Sequence, residues 1–569
     1  MESLRLPVMK LRCWHFFCDR TYNRDSKGAN MRQKASWFYS KTGVAIPLLA
    51  LLTTLYVVSA WAQESGEPSA LDKANATIGA VLFFDIAFGS IQTDEVDRDG
   101  NPVLDASGNP RKKVVSLPFL IVVLILGAIF FTFWYRWINV RGLKHSINVI
   151  RGKYDNPEDT GEISHFRALT SALSATVGLG NIAGVAIAIQ LGGPGAVFWM
   201  VIAAVFGMTA KFSSCTLSQL YRQTNADGSI SGGPMYYVDI GLKQMGGSWA
   251  PLGKVLAIMY ALMVMGGAIG VGNMFQVNQT AEAFRSTFGL SAGANWIVGI
   301  VIAILVGAVI IGGIKRIGAA TSKIVPVMCG LYVCVSILII LMNFTKIPET
   351  IGLIFSMAFT GNAFYGGFFG VLVWGIRRAS FSNEAGLGSA AIAHAAAKTE
   401  EPVREGIVAM VGPFIDTIIV CLMTAMVVII TGAWNDPSLS QSDGVTLTTK
   451  AFESAIGWFP LILTVSIGLF AYSTMISWAY YGERGWIYLL DHFGGAGLKT
   501  VIVFRIIFIL FVIVGAVNKL DAVLDFSDAM VLGMAFPNII GSILLAPRVL
   551  EKVRDYWNRY RSGEMEPVQ

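Results

Sequence analysis

The sequence predicts an all-α protein that crosses a membrane many times. Three observations carry this. Of 569 residues, 54% are hydrophobic and only 14% are charged, against about 25% charged in a soluble protein. The mean hydropathy is +0.58. Apolar stretches near the roughly 20 residues a bilayer requires recur along most of the chain, and the basic residues gather in alternate loops. The net charge of +6 follows from that sorting and does not imply a nucleic-acid partner. Six cysteines and five histidines are scattered without the spacing of a disulfide framework or a metal site.

In chain order, residues 1–41 are polar and basic, Val44 to Ala60 is apolar, and Trp61-Ala62-Gln63 follows. This reads as a signal peptide over 1–62, cleaved after Ala62, with an uncleaved anchor as the other reading. Met31 offers a second start. Either way, residues 63–116 begin outside the cytoplasm. Ala74 to Phe88, interrupted by Asp85, is too short to span and reads as interfacial or re-entrant. Asp94 to Lys113 is a polar insertion with two Gly-Asn-Pro turns, hence a hairpin.

Eleven spans are expected, at 117–137, 168–191, 195–220, 254–284, 293–312, 324–343, 365–397, 405–432, 458–480, 500–517 and 522–546. A basic tail, 547–569, ends the chain. With the first span starting outside, Arg141, Lys144, Arg151, Lys315, Arg316, Lys398 and the tail fall on the cytoplasmic side. The mature N-terminus is then external and the C-terminus cytoplasmic.

Two spans are interrupted. In the first, Thr176-Val177-Gly178-Leu179-Gly180-Asn181 puts two glycines at mid-span, each weakening a helix by about 1 kcal/mol. A break in hydrocarbon survives only where it is buried or lines a cavity. There its freed amides can hold a carboxylate and its carbonyls a cation. The other reading is a glycine-rich packing helix. In the second, Gly366 to Ala397, an apolar half ends at Trp374 and Arg377, Arg378 and Glu384 follow. These three either serve function at membrane depth or seal the cytoplasmic edge by pairing. Without span 117–137, the interrupted spans are first and sixth of ten. That is the pattern of a 5+5 inverted repeat, 168–343 and 350–546, with one additional N-terminal helix.

The words Ser174 to Ala186 (S-A-T-V-G-L-G-N-I-A-G-V-A), S-G-G-P-M-Y-Y (231–237), G-N-M-F-Q-V-N (272–278), F-S-N-E-A-G-L-G-S-A (381–390) and F-A-Y-S-T-M-I-S-W-A-Y-Y-G-E (470–483) resemble the alanine or glycine:cation symporter family. That family lies within the leucine-transporter (LeuT) and amino acid-polyamine-cation superfamily. The resemblance covers roughly residues 117–546. It implies a LeuT-like fold and sodium-coupled symport of alanine or glycine across a bacterial plasma (inner) membrane, by alternating access and not by enzymatic chemistry. No H-E-x-x-H or G-x-S-x-G word opposes this. The substrate carboxylate would meet the N–H groups of Leu179 and Gly180. Thr176 and Gly178 would line the pocket, and Gln276, Phe381 and Trp478 would form its remaining walls. Sodium would take the carbonyls of Ser174, Val177 and Ala471 and the hydroxyl of Thr474. Met475 stands where the superfamily has a second hydroxyl, so Ser473 substitutes or the site has fewer ligands. Asp416 leaves two readings open: a proton site driving transport, or a carboxyl bonded to a neighbouring helix.

Overall fold

The computed structural model describes residues 83–95, 102–105, 107–360, 366–439, 444–518, 520–565 and 567. The expected signal peptide and its cleavage site lie outside the described residues.

Helices occupy all eleven expected positions. Among the described residues, seven of them are by themselves long and apolar enough to cross a membrane, from Ala196–Leu220 through Val523–Ser562. An eighth span is a bent pair, His165–Thr176 with Gly180–Gly192, whose halves meet at 54°. Phe119–Trp134 and Asn295–Ile310 are shorter apolar helices. Ile297, Ile304, Val327, Leu338 and Leu341 are exposed on the outer faces of Asn295–Ile310 and Gly313–Met342. Such surface is unfavourable in water and suits lipid. The interior instead carries serine, threonine and asparagine, which bond across helices in hydrocarbon.

The expected hairpin is present. Strand β1 (Gln92–Asp94) pairs antiparallel with β2 (Lys112–Val114). Of the expected interfacial stretch, 83–88 is not helical. Asp85 bridges to Pro118, and its carboxylate accepts the N–H groups of Ala87 (3.0 Å), Gly89 (2.9 Å) and Leu117 (2.9 Å). Those N–H groups, Leu117 and Gly89 foremost, hold the carboxyl below its usual range.

The additional helix α1 (Phe119–Trp134) packs on α2 (Ala196–Leu220) through a polar ladder. Thr132 and Thr209 hydroxyls lie 2.6 Å apart, and Tyr135 reaches the Ser213 hydroxyl at 2.9 Å. The tail is not free of the bundle. Ala535–Ser562 is one helix that continues past residue 547, and its Tyr556 meets His145 Nε2 at 2.7 Å. Burial, with Arg404 adding to it, pushes that imidazole down to about 4.

Candidate functional site

The first break falls where two glycines stand in the sequence. Helix α3 (His165–Thr176) is capped at its start by the Ser164 hydroxyl and ends because Val177 leaves helical geometry, at φ −77° and ψ 84°. The chain rewinds through one wide π turn, Gly180–Gly184, into α4 (Val185–Gly192). Of the freed amides, Gly178 N–H donates to the Asn181 side chain at 3.0 Å and Leu179 N–H to Gln276 Oε1 at 3.2 Å. Helix α5 (Phe459–Gly494) takes up the freed carbonyls. Thr474 Oγ1 donates to Ser174 O at 2.9 Å and Trp478 Nε1 to Ala175 O at 3.2 Å.

The word Gly270-Val271-Gly272-Asn273 repeats the Gly-x-Gly-Asn pattern at a π turn, yet Trp249–Phe288 stays one span. The difference lies in what packs on it. A Cβ on Gly272 would sit 2.2 Å from Trp478 Cβ, so this glycine makes room for an indole from the facing helix. The π turn also presents Gln276, whose amide donates to Val271 O at 3.0 Å while its oxygen receives Leu179. Gly180 faces Phe381 at ordinary contact distance, and Phe381 meets Phe275 edge-on at 5.2 Å. Gly178, Leu179, Gly180, Gln276, Phe381, Trp478, Ser174 and Thr474 are thereby gathered around one break, all buried. Thr176 is buried beside them, but its hydroxyl bonds back to Ala172 O and Leu173 O, both at 3.2 Å. Val177 and Ala471 are buried too. The Ser473 hydroxyl is turned to Phe470 O at 3.0 Å, and Met475 is buried.

The second interrupted element breaks later than the sequence suggests. Helix α6 (Gly367–Asn383) runs straight through Arg377 and Arg378. It stops at Glu384, which is left-handed at φ 56°, with Gly386 at φ 86° and Gly388 at φ 82°. No L-residue helix passes such a run, and winding resumes in α7 (Ala390–His394). The arginines stay in the helix because they are paired. Arg377 Nε donates to Asp528 Oδ2 at 2.8 Å and Arg378 bonds the same carboxylate, so neither arginine is paired with Glu384. Glu384 accepts from Ser389 instead. The expected end of the apolar half at Trp374, and the three-residue seal, are corrected on this point.

One carboxyl joins the two breaks. Asp416, on a π-wound stretch of Pro402–Ile430, is fully buried. It accepts from Asn181 Nδ2 (2.7 Å), Ser382 Oγ (2.7 Å) and Thr417 Oγ1 (2.8 Å). Asn181 belongs to the first break and Ser382 to the helix entering the second. Lys211 of α2, also buried, donates to Asn383 O at 3.0 Å, where the open end of α6 presents its partial negative charge. The expected site named neither Asn181, Ser382 nor Lys211. The first two stand inside the words quoted above. The signal for Lys211 was a lone charge within a 25-residue apolar helix.

Two interrupted helices thus meet, the loosened backbone of each bonded by facing helices. The model of the sodium:alanine symporter family matches residues 103–569. The chain belongs to that family. The match is wider than the resemblance over 117–546. It takes in the second limb of the hairpin and the tail, and leaves residues before 103 outside. The sodium/alanine symporter AgcS of Methanococcus maripaludis is 41% identical over 448 residues, 79% of this chain and 96% of its own length. The probable sodium/glutamine symporter GlnT of Bacillus subtilis is 35% identical over 453 residues, 79% and 90% of the two chains. Among solved structures, the crystal structure of MhsT in complex with L-phenylalanine aligns at a TM-score of 0.49 and 15% identity, over 68% of this chain and 98% of that one. This member of the sodium:alanine symporter family is therefore a multi-pass membrane transporter of the amino-acid symporter type, and not an enzyme.

Proposed function

We propose that the chain carries alanine, with glycine as a close second, together with sodium across a plasma membrane by alternating access. The observation that carries this is the meeting at the first break. Ser174 O and Thr474 Oγ1 lie 2.9 Å apart, two hard oxygens of the kind an alkali cation prefers. On the other side, the Leu179 N–H is held by the neutral amide oxygen of Gln276. A substrate carboxylate is the stronger acceptor and would displace that amide, freeing Gln276 to bond the substrate's ammonium. Sodium is cargo here, coordinated by Ser174, Val177, Ala471 and Thr474. Two five-helix halves, each opening on an interrupted helix, would rock about the site.

Proteoliposomes given an inward sodium gradient are expected to accumulate labelled alanine. No accumulation under that gradient overturns the reading. Thr474→Ala removes a cation ligand and leaves the pocket walls, so the sodium concentration for half-maximal uptake should rise at least about tenfold, a loss near 1.4 kcal/mol. The rate at saturating sodium should change far less. An equal loss at every sodium concentration would take Thr474 out of the cation site.

A relative described as a sodium/glutamine symporter makes a longer side chain the competing cargo. The packing favours the smaller one. Trp478 packs on Gly272 and Phe381 faces Gly180, so two large aromatics crowd the first break and disfavour a long side chain. Trp478→Ala is expected to let bulkier neutral amino acids compete with alanine, checked with a competition panel. An unchanged substrate range would remove that indole from the wall. Proton coupling is the second reading, favoured by the buried Asp416 carboxyl between both breaks. Uptake driven by a pH gradient without sodium would establish it.

A further inference from the structure

The hairpin that precedes α1 does not hang free. Its two described limbs, 83–95 and 107–118, lie against the start of α6. A Cβ on Gly367 would be 3.2 Å from Thr93 Cγ2, and one on Gly366 would be 3.2 Å from Val115 Cγ2. The limbs are laced to each other by β1–β2 and by Asp85, which gathers N–H groups from both. Ile86 N–H and Phe119 N–H add backbone bonds to Leu117 O (3.1 Å) and Phe84 O (2.9 Å), joining the hairpin to the first turn of α1. The segment is thus held in shape by its own hydrogen bonds and seated on a transport helix.

Its reach ends on one side chain. The Arg377 guanidinium sits 5.2 Å from the centre of the Phe83 ring and 5.2 Å from the Trp374 ring, so it is stacked between an aromatic of the hairpin and one of its own helix. The same guanidinium is bound to Asp528 of Leu520–Gly533. Asp528 also holds Arg378, whose guanidinium lies 5.0 Å over the Phe381 ring. A continuous run of contacts therefore passes from Phe83 to Arg377, Asp528, Arg378 and Phe381. Along that run exposure falls, from an Arg377 side chain at 21% to Asp528 at 2%. The charges nearest the aqueous rim are those the hairpin touches.

We propose that the hairpin is a strap that holds the Arg377–Asp528–Arg378 bridge closed over the pocket, with Phe83 as its positioning residue. The bridge links α6 to Leu520–Gly533, so these two helices separate only when it breaks. Stacking by Phe83 favours the joined state, and so lowers the frequency with which the pocket opens on the strap's side. This rests on reading Phe381 as a pocket wall. Closure of the bridge is nonetheless measurable without any substrate.

Ser527 supplies the reporter. It is fully buried beside Asp528 and against Gly270, and its hydroxyl has no hydrogen-bond partner among the described residues, so Ser527→Cys changes little. In the purified Ser527→Cys variant, a water-soluble maleimide should reach the new thiol slowly, read as a mass shift on the peptide carrying it. Phe83→Ala should raise the rate about five- to tenfold, the range a lost cation–π contact supports. Phe83→Trp, which restores the stacking face, should return it to the native value. Arg377→Ala should raise the rate on its own, and adding Phe83→Ala should then change nothing further. An unchanged rate in Phe83→Ala overturns the proposal. So does a Phe83→Ala effect that persists in the absence of Arg377. Absence of alanine uptake in the unmodified protein would count against the proposed cargo and leave the labelling result standing.

Discussion

Replacing Gly178 by alanine is expected to reduce transport roughly a hundredfold or more while the protein still reaches the membrane. The added Cβ would lie 2.4 Å from Thr474 Oγ1 and 3.2 Å from Gln276 Oε1. A threonine hydroxyl can turn away from such a clash only by giving up its bond to Ser174 O. That leaves a buried carbonyl unsatisfied and moves a proposed cation ligand, a combined cost of about 3 kcal/mol. Two decades of affinity correspond to nearly that energy. On the other side the methyl presses on Gln276, which holds the Leu179 N–H. One carbon atom therefore disturbs the cation side and the amino-acid side together. The chain contains its own control. Gly184 lies in the same rewinding turn, and a Cβ there would meet nothing within 4 Å. Gly184→Ala should transport at close to the native rate in the same sodium-gradient uptake assay. Equal losses in the two variants would show that any added methyl unsettles the turn, and the argument from Thr474 would fail.

The first break was legible as a local weakness, although the same Gly-x-Gly-Asn word at 270–273 stays within one span and only its packing tells the two apart. Two glycines and an asparagine in an apolar stretch weaken a helix wherever they stand. The second break was misplaced for a reason that also explains the rest of what the sequence withheld. Arg377 and Arg378 look like an interruption because an unpaired charge cannot stay in hydrocarbon. Their partner is Asp528, some 150 positions along the chain, and no local rule reports such a pairing. Once the charges are matched, the helix continues to Asn383 and stops at left-handed Glu384, and Gly386 and Gly388, which read as part of a small-residue helix, carry the break on. Helix α5 shows the same effect. It was expected to end at 480, ahead of Glu483 and Arg484, yet it winds on to Gly494 with Glu483 paired to Arg505 at 2.8 Å. The walls were named from family words, and the structure brings Gln276, Phe381 and Trp478 to one place. Neither periodicity nor composition would have chosen them from among 34 phenylalanines and 14 tryptophans.

The second large effect is expected at Asp416, where alanine should abolish transport and also lower the yield and melting temperature of the purified protein. Three donors converge on this carboxyl, and they are not equivalent. Thr417 still accepts from Asn383 Nδ2 at 2.9 Å, but its own O–H loses its acceptor. Asn181 retains the Asp416 backbone oxygen at 3.1 Å, a longer contact than the one it loses. Ser382 is left with the Cys421 sulfur at 3.1 Å, a weak acceptor. Three buried donors thus lose their good acceptor, at about 1–3 kcal/mol each. Their sum is a substantial share of the 5–15 kcal/mol that typically separates folded from unfolded states. Asparagine separates stability from mechanism. Asp416→Asn keeps the shape and one carbonyl acceptor but points an amide N–H₂ at groups that are already donors. Asn181 donates to Oδ1 and the two hydroxyls to Oδ2, so the carbonyl can stay on Asn181 while the hydroxyls turn round and accept, and what is lost is the second acceptor oxygen of the carboxylate. The Asn variant should therefore fold with a melting temperature near native and still lose at least about tenfold in uptake. A variant that folds and transports like the native chain would show that the carboxylate is not what binds the first break to the second. A variant that loses stability and transport in the same proportion would reduce Asp416 to a packing group. If the bridge acts as described, the two interrupted helices are set by one side chain on a third helix, and whatever displaces it must reach both halves of the site at once.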